Sequence, residues 1–203
     1  MDKRGFELSI GFFVILILTV IIFAGSLWFL RQFYTTTEEF RQELDRDTEA
    51  QLVSLIRDGN IVAIPLNKAR LSRGKGATFW LGVQNVLGRN SEFGVSVEFS
   101  KGFDAQETEI METSPVYITN NWVLYSPGPH AIKNNDYQAI PIRVVVGDSI
   151  ADNAPTPQGT YSFNVCVWDV SQYGATPPGT CDANSDLSVW YTKKIYKIFV
   201  EVP

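Results

Sequence analysis

The chain has 203 residues, 45% of them hydrophobic, and a formal net charge of −5. That length accommodates one anchor and one domain of about 140 residues around a single core. The negative charge is concentrated in one stretch and the rest is nearly balanced, so nothing points to nucleic acid as a partner.

Residues 1–7 form a short polar head, Met-Asp-Lys-Arg-Gly-Phe-Glu. From Leu8 to Leu30 the chain is apolar and carries no charge. At about 1.5 Å per residue such a run matches a hydrocarbon core of roughly 30 Å, and it predicts a transmembrane helix over 8–30. A secretory signal peptide has a shorter apolar region followed by a small-residue cleavage site. Ala24-Gly25-Ser26 imitates such a site weakly, but Trp28-Phe29-Leu30 carries the apolar run past it. Lys3 and Arg4 precede the span, whereas Arg31 is the sole base after it until Arg41. The positive-inside tendency therefore places the N-terminus in the cytoplasm and the rest of a single-pass protein outside the cell membrane.

Residues 31–58 contain no proline or glycine, and Phe33, Phe40, Leu44, Leu52, Leu55 and Ile56 recur at helical intervals. Seven acids stand against three bases between Thr35 and Asp58, a local charge of −4, and Gly59 follows as a left-handed helix cap. This predicts a polar helical stalk. It either holds the next domain off the membrane as a solvated rod or pairs its apolar stripe with a partner helix, since long isolated polar helices are marginal in water.

From Ile61 the pattern changes to period two, with β-branched and aromatic residues between turn signals. Strands are predicted near 61–66, 77–85, 93–100, 116–125, 137–146, 160–168 and 189–202, separated by turns such as 72–76, 126–129 and 154–159. Seven strands without intervening helical patterns imply an immunoglobulin-like antiparallel β-sandwich over 59–203. In the clearest strand Tyr161, Phe163, Val165 and Val167 share one face, and Ser162, Asn164 and Cys166 the other. Tyr196, Ile198, Val200 and Val202 form the expected core face of the last strand.

The chain has two cysteines. Alternation puts Cys166 on the outward face, and Cys181 lies in the following loop, so a disulfide would pin that loop against the sheet. Two free thiols are the alternative. A redox pair is not expected, because there is no Cys-x-x-Cys spacing. Asp182, Asn184 and Asp186 alternate as in a calcium loop, but Leu187 stands where glycine is required and the bidentate glutamate is missing, so a solvated turn is expected and no metal. His130 is the single histidine, in a Pro-Gly-Pro-His turn, and no Ser-His-Asp set or Gly-x-Ser-x-Gly elbow can be assembled. Gly74-Lys75-Gly76-Ala77-Thr78 lacks the spacing of a phosphate loop. Lys68, Arg70, Arg73 and Lys75 make a basic run that suits a solvated hairpin, or contact with lipid headgroups or an anionic surface layer. No active site and no cofactor are expected. The chain has no Asn-x-Ser/Thr sequon, so N-glycosylation is not expected either.

Lys3-Arg4-Gly5-Phe6 followed at once by the apolar helix resembles the class III signal peptide of type IV pilins and archaellins. The resemblance implies a prepilin peptidase that cuts after Gly5, leaving Phe6 as the mature N-terminus and an apolar helix able to pack among its copies. The Glu-Leu-Ser-Ile continuation, the long helix and the all-β head look more like archaeal than bacterial members. The fifth mature residue, glutamate in most bacterial pilins, is Ile10 here, and the nearest acid is Glu7. The stretch from Glu38 to Glu49 is also more polar than an archaellin helix core. The resemblance thus implies a non-enzymatic, pilin-like subunit or accessory component of an archaeal filament. Its partners would be membrane lipid, the peptidase, related subunits and a surface-layer protein. The competing expectation is a permanently anchored single-pass protein whose sandwich is a binding or adhesion module unrelated to filaments.

Overall fold

The computed structural model describes residues 11, 14–20, 22–23, 48, 50–152 and 154–203. The chain divides into two compact units, Met1–Asp47 and Thr48–Pro203. In the first, residues 14–20 are helical and their side chains, Val14 to Leu18 among them, are exposed. The Thr19 hydroxyl donates to the Ile15 carbonyl within the helix at 2.8 Å. Most of the expected membrane span 8–30 and of the stalk lies outside the described residues. Among the described residues no helix is long and apolar enough to cross a membrane.

The second unit opens with helix α1, helical through 50–57. It ends at Gly59, whose φ of 94° and amide bond to the Ile56 carbonyl make it the expected cap. The strands that follow are β1 (Val62–Ala63), β2 (Lys68–Arg70), β3 (Gly76–Gln84), β4 (Ser91–Phe103), β5 (Val123–Tyr125), β6 (His130–Ile132), β7 (Tyr137–Val145), β8 (Ser149–Ala151), β9 (Ala154–Pro155), β10 (Gly159–Asp169) and β11 (Tyr196–Val202). They form one sheet in the order β1-β3-β7-β5, a second in the order β2-β11-β10-β4-β6, and the small β8-β9 hairpin.

The two larger sheets pack as a sandwich because their long strands alternate. Phe79, Leu81, Val83, Ile140, Ile142 and Val144 of the first sheet meet Val95, Val97, Tyr161, Phe163, Val165, Ile198 and Val200 of the second in one buried cluster. The faces anticipated for the strand at 160–168 and for the last strand are the faces found.

Three differences from expectation stand out, the first two with a local physical cause. Residues 116–125 do not form one strand: helix α2 (Pro115–Trp122) precedes β5. The Ser114 hydroxyl accepts from the Tyr117 amide and proline occupies the first turn, an N-terminal signal that outweighs the β-branched Val116, Ile118 and Thr119. The last strand begins at Tyr196 rather than 189, because Leu187–Val189 is a 3₁₀ turn and Tyr191 donates its amide to the Val167 carbonyl at 2.7 Å. The sandwich is also not wholly antiparallel, since β2 runs parallel to β11.

Helix α1 belongs to this unit rather than to a free stalk. Leu52 and Ile56 are buried with Ala63 in a small cluster of their own, joined by the half-buried Ala139. A Cβ on Gly82 would stand 2.5 Å from Leu52 Cδ1. The outer face of the first sheet is therefore a platform of small residues cut to receive the helix. The compact unit begins at Thr48, within the expected stalk 31–58 and ahead of the expected domain start at 59.

Candidate functional site

The residues of the expected processing site, Lys3, Arg4, Gly5 and Phe6, lie outside the described residues. The other expected covalent feature is present. Cys166 and Cys181 are disulfide-bonded across 15 residues with Cα atoms 5.9 Å apart. Cys166 is on the side of β10 away from the sandwich core, as alternation requires, yet both cysteines are fully buried. The segment between β10 and β11 folds back and makes a second core of Cys166, Trp168, Cys181 and Trp190, flanked by Val170, Val189 and Ile195. The two indole rings meet edge to face at 6.3 Å. Trp168 lies over Gly94, its pairing partner on β4, and its Nε1 donates to the Gly174 carbonyl at 3.0 Å. Asn164 Nδ2 donates to the Cys181 carbonyl at 2.8 Å, which ties the middle of the loop to the sheet.

One end of the sandwich gathers the β3–β4 loop, the β6–β7 loop and the β10–β11 segment. Asn85 is fully buried there: its Nδ2 donates to the carbonyls of Arg89 and Ile132, and its Oδ1 accepts from the Leu87 amide. The Tyr191 hydroxyl donates to the Gln84 carbonyl and accepts from the Val86 amide. Burial pushes the Tyr191 phenol above its ordinary value, the Val86 bond opposes this, and the nearby Asp169 carboxylate adds to it. Arg89 pairs with Asp169 at 3.0 Å, and Asp169 also accepts from the Ser171 amide at the start of α3 (Val170–Tyr173). The loop so fixed presents Val86 and Leu87, 45% and 39% exposed, to solvent. Beside it a shallow cleft of about 380 Å³ is lined by residues that include Glu92, Ala131, Lys133 and Ser171.

Sequence reasoning missed Asn85, Tyr191, Arg89 and Asp169. Their partners are up to 107 residues away, and pairings at that separation leave no local periodicity. The Asn-x-x-Gly pattern at Asn85–Gly88 was the one legible cue.

The remaining expected positions hold ordinary structural roles. Asp182 Oδ1 accepts from the Asn184 amide and its Oδ2 from the Thr180 hydroxyl. Asp186 caps the 3₁₀ turn; the Ser188 amide and then its hydroxyl hold that exposed carboxyl below its ordinary range. Among the described residues no three metal-ligating side chains converge. The His130 imidazole Nε2 lies 3.0 Å from the Ser126 carbonyl. Lys68 and Arg70 both face Glu201 across the β2–β11 pair, at 3.9 and 3.5 Å. Arg73 lies near enough to Tyr161 to oppose the effect of burial, which still raises that phenol to about 12.

No protein-family model and no curated protein matches the chain. Several solved structures resemble it weakly. The ASH/PapD-like domain 7 of human CEP192 shares 12% identity at a TM-score of 0.39, over 70% of this chain and 85% of that one. A family 123 glycoside hydrolase from Clostridium perfringens shares 13% at a TM-score of 0.37, over 68% of this chain and 23% of the hydrolase. The class 5 fimbriae chaperone CfaA shares 12% at a TM-score of 0.36, over 70% of this chain and 56% of that one.

Proposed function

We propose that this chain is a membrane-anchored, extracytoplasmic and non-enzymatic protein, a pilin-like subunit or accessory component of an archaeal type IV filament. The observation that carries the reading is Lys3-Arg4-Gly5-Phe6 set directly before the uncharged run from Leu8 to Leu30. The bases would hold the scissile Gly5-Phe6 bond at the cytoplasmic face, and the retained apolar helix would pack among related subunits. The buried Cys166–Cys181 disulfide supports a head that matures in an oxidising compartment. The order β1-β3-β7-β5 facing β11-β10-β4 corresponds to the A-B-E-D and G-F-C order of immunoglobulin-like domains, which supports that finer reading of the sandwich. So does the Tyr161 hydroxyl near the start of β10, which donates to the Pro157 carbonyl at 2.8 Å, the arrangement of a tyrosine corner.

A second reading is a permanently anchored binding or adhesion module, favoured by the rigid loop end that exposes Val86 and Leu87. One experiment separates the two. Protein from native membranes should resist high-salt and alkaline washes and begin at Phe6, and a bulky substitution at Gly5 should leave Met1 or Asp2 as the first residue. An uncut N-terminus in the unaltered protein transfers the assignment to the anchored module, and release by salt alone removes the anchor from both readings.

A further inference from the structure

We propose that Lys197 and Asn164 form an intramolecular amide bond that joins β11 to β10, with Glu98 of β4 as proton carrier. The three residues form one row on the outer face of the second sheet. Asn164 is paired in register with Lys197 on one side and with Glu98 on the other. Neighbours so paired have Cβ atoms about 4.5–5.5 Å apart, so Asn164 stands directly between Lys197 and Glu98.

The geometry is that of an amine held at a carbonyl. Lys197 Nζ donates to Asn164 Oδ1 at 2.9 Å, one C=O bond from the carbon it attacks. Asn164 is 3% exposed, and its two hydrogen bonds hold the amide one way round. Lysine can only donate and the Cys181 carbonyl can only accept, so Oδ1 must face Nζ and Nδ2 must face the loop. The Cys166–Cys181 disulfide in turn fixes the residue that supplies that carbonyl. Glu98 is half-buried, and the Ser96 hydroxyl orients its carboxylate through a 3.1 Å bond to Oε1. An amine held beside its carbonyl gains an effective concentration of about 10⁵–10⁸ M once the reacting atoms come into line, and one turnover per molecule suffices.

The step balances without an oxidant or co-reactant. Lys197 gives up its ammonium proton to solvent, and the neutral Nζ attacks Asn164 Cγ. The Nζ–Cγ bond forms and the Cγ–Nδ2 bond breaks. Glu98 accepts a proton from Nζ and delivers it to Nδ2, which leaves as ammonia.

The test is the mass of the full chain isolated from its own membranes, reduced and denatured. The expected mass is lower by one ammonia than the mature sequence requires, and proteolysis should yield one branched peptide that joins the segments around 164 and 197. Lys197→Arg, which keeps the charge and the donor, should restore the unmodified mass, as should Glu98→Gln in a chain whose circular dichroism shows it folded. An unaltered protein at full mass, with the two peptides separate, overturns the proposal. A folded Glu98→Gln chain that still cross-links overturns the role of Glu98.

Discussion

At Gly94 a β-carbon would run into the Trp168 ring, and backbone rather than side chain fills the position for that reason. Gly94→Ala is expected to push the indole off the sheet and cost about 1–3 kcal/mol by overpacking, read as a lower urea midpoint with an unchanged slope. Tyr161 acts at the same scale through its proton. Its phenol is raised from 10.0 to about 12, chiefly by burial, so the folded state favours the neutral form. An unfolded chain loses that proton first. The contribution is therefore complete below pH 10.0 and lost as pH rises to about 12. Tyr161→Phe should lower stability at neutral pH through the lost bond to Pro157 and flatten its decline over that alkaline window. Equal alkaline slopes for the two proteins would show that Tyr161 does not set it. The disulfide was legible at this scale, because alternation from Tyr161 put Cys166 on the outer face with Cys181 within reach. The indoles that seal it were not, since Trp190 falls within the strand expected over 189–202, whereas the strand starts at Tyr196 and Trp190 packs on Trp168 instead.

Among the elements, β3, β4, β7 and β10 were readable because each alternates over nine residues or more. The unread β2, β6, β8 and β9 have two or three residues each, too few for a period to declare itself. Helix α2 was misread because its β-branched residues imitate a strand, although Ile118 and Trp122 are four apart and both buried, as on one helical face. Helix α1 was read as helix, but what it packs against was not, since Ala63, Gly82 and Ala139 come together only when the sheet forms. A chain beginning at Thr48 should therefore be more stable to urea than one beginning at Gly59. Leu52→Ala in the longer chain should cost about 2–5 kcal/mol, the range for a buried leucine. Identical midpoints for the two lengths would mean that the helix does not dock in solution.

At the level of the whole sandwich unit the main core and the disulfide core are separable. The main core lies between the sheets and contains neither cysteine, whereas the second is closed by the disulfide. A 15-residue separation corresponds to about 3 kcal/mol of stabilisation in the chain-entropy account. Reduction should lower the melting temperature and abolish the near-ultraviolet signal of the Trp168–Trp190 pair. Amide protection in β3 and β7 should persist at moderate temperature. Simultaneous loss of both signals would mean that the sandwich depends on its outer layer.

The parallel pairing of β2 with β11 has a mechanical meaning. Lys68 lies beside Phe199 and Arg70 beside Glu201, and the ladder is bounded by the bonds from Phe199 to Asn67 and from Leu71 to Glu201. Tension applied to the chain ahead of β2, against a hold on the chain beyond β11, draws the two strands past each other. Their hydrogen bonds then share the load in shear and must fail together, where an antiparallel pair pulled from one end would unzip bond by bond.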